Sequence, residues 1–132
     1  MKVFIPFNQN IFRLLRLFVV PVLIEHQGRS LYLPMIVDSG ASYVTVRPDV
    51  FDQLEISSLR EIPVVTASGR TAAPFGRAEK VTVGSRCFAE KVEMISVPLP
   101  QTLPAEGLLG ASFLRHFPVY QDFEKGILEH GA

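Results

Sequence analysis

The stretch Leu31-Tyr32-Leu33-Pro34-Met35-Ile36-Val37 runs directly into Asp38-Ser39-Gly40-Ala41-Ser42, and this junction constrains the chain more than any other feature. A short apolar run bounded by a turn signal reads as a strand entering a core. A carboxylate at the end of such a strand is costly unless it is solvated or paired. Ser39 and Gly40 are turn formers, and Gly40 lets neighbouring backbone approach closely, so the chain turns as soon as the acid is in place. The segment has the makings of an acid/base site, a carboxylate held near a strand end by local hydrogen bonds from Ser39 and backbone amides.

Composition limits what can surround that site. With 132 residues, 48% of them hydrophobic, the chain has material for one core and one domain. Thirteen Lys and Arg balance thirteen Asp and Glu, so no overall field gathers nucleic acid, and Arg13 with Arg16 is ordinary surface charge. Cys87 is the only cysteine, which excludes an internal disulfide and reads as a small half-buried strand residue. His26, His116 and His130 lie apart, without Cys or Glu at ligand spacing, so no metal is expected. No glycine-rich phosphate loop is present, and no cofactor is implied.

The region Ile11 to Ile24 is the most apolar of the chain, yet its longest uncharged run is only Leu17 to Ile24. A bilayer span needs roughly 18 or more consecutive apolar residues, and a signal peptide carries its positive charges before the apolar stretch and small residues after it. Neither pattern occurs, which favours the cytoplasm. A buried strand from about Phe18 to Glu25 is expected, with membrane contact by residues 1–17 the minority reading. Whether residues 1–17 form strand, helix or arm is left open, so the expected division is an N-terminal arm, 1–17, and a domain, 18–132.

Short strands with turn signals at close intervals fill the remainder, the all-β pattern. Gln27-Gly28-Arg29 joins the first two. Strands are expected over Val19 to Glu25, Leu31 to Val37, Tyr43 to Val46, Ile62 to Ala67, Thr71 to Phe75, Ala78 to Val83, Cys87 to Val97, Val119 to Phe123 and Ile127 to Glu129. One short helix is expected over Pro48 to Leu54, opened by a first-turn proline, and another over Ala111 to Phe117. Pro98 to Gly107 carries three prolines and reads as a loop, long enough to be a wall of a binding cleft.

With those elements in place, three separated motifs resemble the retropepsin-like aspartic peptidases, of the small single-domain bacterial kind. Ile36-Val37-Asp38-Ser39-Gly40-Ala41-Ser42 is similar to the family's signature of two hydrophobics, Asp, Thr or Ser, Gly and Ala. Val64-Val65-Thr66-Ala67-Ser68-Gly69-Arg70-Thr71 looks like its flap, a hairpin that closes over bound peptide. Gly107-Leu108-Leu109-Gly110-Ala111-Ser112-Phe113-Leu114 is similar to its two hydrophobics plus glycine leading into a short helix. Order and spacing agree, and the resemblance covers roughly residues 18 to 130. It implies a closed, barrel-like acid-protease fold with one or two short helices.

Peptide hydrolysis of this type needs two carboxylates at about 3 Å that share one proton, one taking a proton from water while the other donates to the scissile carbonyl. The chain holds four aspartates, and Asp49, Asp52 and Asp122 lack both the preceding strand and the following Gly turn. The resemblance therefore implies a homodimer in which Asp38 of each subunit meets on a two-fold axis, acting on peptide or protein substrates. It gives Asp38 the catalytic acid/base role, Ser39 a hydroxyl that ties the two active-site loops together, and Gly40 an amide bonded to the carboxylate. Leu108, Leu109 and Gly110 brace that loop, while Ala67, Ser68, Gly69 and Arg70 form the flap tip over substrate. Ser112 and His116 would share a helical face but lack an orienting acid, so they are not read as nucleophile and base. Val44 to Val46 and Pro98 to Gly107 are expected to line side-chain pockets. The tail from Val119 to Glu129 reads as a hairpin, unlike an interdigitating terminal strand. The competing class is a non-catalytic module that keeps the barrel for dimerisation or peptide binding.

Overall fold

The computed structural model describes residues 2–66 and 69–131. In chain order these form β1 (Lys2–Phe4), α1 (Gln9–Leu15), β2 (Val19–His26), β3 (Arg29–Val37), β4 (Val44–Val46), α2 (Pro48–Leu54), β5 (Arg60–Thr66), β6 (Gly69–Val83), β7 (Cys87–Ser96), β8 (Gly107–Leu109), α3 (Ala111–Leu114), β9 (Val119–Asp122) and β10 (Ile127–Gly131). Strand accounts for 52% of the described residues. Six strands close a barrel in the order β2-β3-β8-β4-β7-β6, with β6 returning to pair with β2. The pairs β3–β8 and β4–β7 are parallel and the other barrel pairs antiparallel. Closure removes the open edges that an isolated sheet would present.

The hydrophobic pattern explains the closure. Along β2 the buried residues Val20, Val22 and Ile24 alternate with more exposed neighbours, the signature of a strand with one face on the core. In β3 the alternation gives way to three consecutive buried residues, Met35, Ile36 and Val37. Met35 and Val37 face the main core, while Ile36 packs on the outer side with Val19 and Ala105, so this strand is covered on both faces where it reaches Asp38. Pro21 and Pro34 face each other across β2 and β3. Each sits where its strand has no second neighbour, since β6 joins β2 from Val22 and β8 joins β3 from Met35, so the missing N–H groups break no ladder.

Residues 2–17, left open by the sequence, contain β1 and α1, and α1 is a third short helix beside the two expected. Asn8 caps α1 by accepting from the Ile11 N–H at 2.9 Å. Phe7, Phe12 and Phe18 meet in tilted and edge-on geometry, at centroid separations of 4.8 Å for Phe7–Phe18 and 4.9 Å for Phe12–Phe18. The β1 strand pairs with β10, which pairs with β9, giving a three-stranded sheet drawn from both termini of one chain. The terminal hairpin expected from the sequence is thus joined by a third strand.

Two strands expected over Thr71–Phe75 and Ala78–Val83 are one continuous β6. Gly76, in the gap between them, stays in register opposite Met94. Its glycine is required by packing, because a Cβ there would lie 2.7 Å from Ile56 Cγ2 and 2.9 Å from the Ser57 carbonyl. The first half of β6 pairs with β5 as a hairpin that projects from the barrel, and the second half belongs to the barrel wall. The second expected helix is also shorter than Phe117, ending at Leu114 and continuing as tight turns through His116 and Phe117. No helix among the described residues is long and apolar enough to cross a membrane. Phe12→Ala is expected to cost about 3–5 kcal/mol, the range for deleting a buried phenylalanine, read as a lower urea midpoint with an unchanged denaturant slope.

Candidate active site

Asp38 stands immediately beyond β3, half-buried, and lines a cleft of about 800 Å³. Its position is set by main chain. The Asp38 N–H donates to the Leu109 carbonyl at 3.1 Å, continuing the parallel pairing of β3 with β8 past the strand end. The chain then reverses, with the Ala41 N–H donating to the Asp38 carbonyl at 3.2 Å. Inside that turn the Gly40 N–H donates to Asp38 Oδ1 at 2.9 Å, a charge-assisted bond that orients the carboxylate. A Cβ on Gly40 would sit 3.2 Å from the same oxygen, so glycine here serves close approach. Ser39 is exposed, and among the described residues its hydroxyl has no partner within the chain.

The second strand of support crosses from beneath. The Ala111 N–H donates to the Ala41 carbonyl at 2.7 Å and the Ser112 N–H to the Ser42 carbonyl at 3.0 Å, stitching the start of α3 to the Asp38 loop. Gly110 is the contact that permits this, since a Cβ there would lie 2.3 Å from the Tyr43 carbonyl and 2.7 Å from that of Ala41. Leu109 is buried in the main core, whereas Leu108 points the other way and lines the cleft. Ser112, 1% exposed, accepts from the Val44 N–H at 2.8 Å and donates to the Glu93 carbonyl at 2.6 Å. Its hydroxyl is fully occupied in tying α3 to β4 and β7, and the helix ends before His116, so the two do not share a helical face.

Above the acid, the β5 residues Pro63, Val64 and Val65 form one wall of the cleft, with Val65 79% exposed. Gly69 closes the hairpin opposite Thr66 with φ of 111°, a backbone conformation natural to glycine, and Arg70 follows it in an exposed position. Ala67 and Ser68 of the expected flap tip lie outside the described residues. The opposite wall is Pro98, Leu99 and Pro100, so only the first part of the expected loop faces the cleft. Of Val44 to Val46, only Thr45 faces it, because Val44 and Val46 point into the main core on the other side of the strand. Tyr43, Ile95, Val97 and Leu108 complete a mainly apolar lining.

Among the described residues, Asp38 is the only carboxylate on that surface. Asp49 lies in the first turn of α2, Asp52 is exposed on the same helix, and Asp122 accepts from the Glu124 and Lys125 amides in the terminal hairpin. Burial pushes the Cys87 thiol up to about 12, so it stays protonated and offers no nucleophile near neutral pH. Among the described residues no group of three or more His, Cys, Asp or Glu is arranged to hold a metal. Chemically, the cleft offers an oriented acid against an apolar trough suited to an extended chain.

A family model described as "gag-polyprotein putative aspartyl protease" matches residues 23–116. The chain belongs to this aspartyl protease family. Among solved structures, it is similar to the crystal structure of a retropepsin-like aspartic protease from Rickettsia conorii, with a TM-score of 0.68 and 19% sequence identity over 98% of this chain and 89% of that one. At that identity the likeness establishes the retropepsin-like fold. No curated protein matches the chain. The matched segment runs from β2 to the end of the α3 turn and so contains Asp38, the β5–β6 hairpin and the Gly110 crossing.

The residue that sequence reading missed is Arg47, at the junction of β4 and α2, whose guanidinium reaches the 98–106 loop. Gly110→Ala is expected to lower stability by about 1–3 kcal/mol or more, the range for overpacking a close contact, and circular dichroism during urea unfolding measures it.

Proposed function

We propose that this aspartyl protease relative is an endopeptidase that works as a homodimer, with Asp38 of both subunits facing across a two-fold axis. The observation that carries the reading is the one carboxylate, among the described residues, that lines a mainly apolar cleft of about 800 Å³, in a chain with no second Asp-Ser-Gly. One carboxylate cannot both take a proton from water and give one to the scissile carbonyl. Two at about 3 Å can, because like charges at that distance hold one proton between them.

In this reading the catalytic residue is Asp38, oriented by the Gly40 amide. The exposed Ser39 hydroxyl meets the partner loop across the axis and keeps the two carboxylates coplanar. The Leu109 carbonyl and the Ala111 and Ser112 amides, which Gly110 lets approach, hold the Asp38 loop from below through main-chain bonds. Substrate lies as an added strand between β5 and the barrel, its alternate side chains entering apolar pockets and its carbonyls reaching amides near Gly69 and Arg70. Water attacks the scissile carbonyl as the ionised carboxylate takes its proton, and the protonated carboxylate donates to the developing oxyanion. The terminal sheet is drawn from both ends of one chain, and this reading builds the dimer without exchange of terminal strands.

Two measurements test the proposal. Asp38→Asn removes the acid while nearly preserving shape. Cleavage of a mixed peptide library should fall by about 10²–10⁴-fold, the usual weight of general acid/base catalysis, with the sedimentation of the dimer unchanged. If both forms bind peptide and neither cuts, the chain is a binding module instead. The wild-type rate should also trace a bell against pH, since the pair works only while it holds a single proton; a flat profile contradicts the shared-proton pair.

A further inference from the structure

Prolines at 98, 100 and 104 remove three donors from the connection between β7 and β8, so the loop has little means of fastening itself. Its backbone supplies a turn from the Leu103 N–H to the Pro100 carbonyl at 3.1 Å, and the Glu106 N–H reaches across to the Pro34 carbonyl at 2.8 Å. Yet Pro98, Leu99 and Pro100 form a full wall of the cleft, and a wall that sorts side chains has to keep its place.

The missing donors come from Arg47. Its Nη1 donates to the Leu99 carbonyl at 2.6 Å, and its Nη2 to the carbonyls of Pro100 and Ala105, each at 3.2 Å. Its Nε pairs with Glu106 Oε2 at 3.2 Å. Both ends of the loop are thus gathered onto one planar fork whose side chain is only 17% exposed. A lysine offers three donors from a single point and cannot span these partners.

Position 47 is also one where local rules ask for something else. Arg47 is the N-cap of α2, a site favouring Ser, Thr, Asp or Asn, and it makes no side-chain cap bond. Its side chain serves the loop instead, and a local preference overridden in this way marks a functional demand. The residue leaves β4 two positions after Thr45, which lines the cleft, so the clamp ties the loop to a strand that itself lines the cleft.

We propose that Arg47 is a positioning residue that fixes the 98–106 loop as a wall of the cleft and so sets its preference among apolar peptide side chains, a role that rests on the peptidase reading above. The test compares wild type, Arg47→Met and Arg47→Lys on peptides carrying Leu or Ala beside the scissile bond. In Arg47→Met the KM for the Leu peptide should rise about tenfold, the lower range for mismatched apolar pockets, with a much smaller change in kcat, and the Leu-over-Ala preference should collapse. Arg47→Lys, which keeps the charge opposite Glu106 without the fork, should fall between. Amide exchange over residues 101–103 should accelerate in Arg47→Met.

Unchanged KM and preference in Arg47→Met overturn the inference. So does an equal loss on both peptides accompanied by a lower melting temperature, which marks a residue that only stabilises the fold. Should the wild type cut neither peptide, the peptidase reading fails by itself, and the same Leu-over-Ala ratio is then read from binding of the fluorescently labelled peptides. A ratio lost in Arg47→Met supports the clamp, whereas a ratio retained, or no binding at all, overturns it.

Discussion

Main-chain hydrogen bonds between the Asp38 loop and the β8–α3 turn hold this site together, and they form only because glycines let backbones meet. Asp38 N–H reaches Leu109, Ala111 N–H reaches Ala41, and Ser112 N–H reaches Ser42. At Gly110, and again at Gly107 where a Cβ would lie 2.5 Å from the Thr45 carbonyl, a side chain would force the strands apart. Backbone partners have no rotamers to lose, so an acid held this way is preorganised at little entropic cost. The Gly40 amide then fixes the direction in which the carboxylate faces.

Around this braid the molecule divides between rigid and adjustable parts. The barrel is closed, and its core side includes Val44, Val46, Met35 and Leu109 directly beneath the acid. The β5–β6 hairpin leaves the barrel, resting on a separate small cluster of Ala73, Phe75, Ile95 and Val97, with Tyr43 edge-on to Phe75 at 5.7 Å. Few buried contacts hold such a projection, so its opening costs less than opening the barrel. The opposing wall has no strand pairing of its own and depends on side-chain donors from Arg47.

Much of this was legible locally. Pro48–Leu54 was read to the residue, because a first-turn proline and an apolar face are signals within seven residues. The strand leading to Asp38 and the chain reversal after it were equally visible, as was the terminal hairpin. The gap expected between Phe75 and Ala78 is not there, and the glycine within it, Gly76, answers to a side chain twenty residues away, Ile56. Residues 2–17 resisted because Ile5, Phe7 and Phe12 share a core cluster with Phe18 and with Leu128, and the Ile5 N–H reaches the Leu128 carbonyl, a partner at the far end of the chain. Arg47 was invisible for the same reason, its four partners lying 52 to 59 residues further along.

The sequence by itself determined the all-β class, the acid at the end of a strand, the turn behind it and the absence of a second such motif, for these depend on neighbours a few residues apart. Tertiary structure alone decided which residues face the cleft, that Thr45 does while Val44 and Val46 do not, that Leu108 does while Leu109 does not, and that an arginine at a helix cap fastens a distant loop. Strand register and barrel closure settle such matters, because a side chain's face is fixed by pairing between segments whose meeting no local pattern encodes.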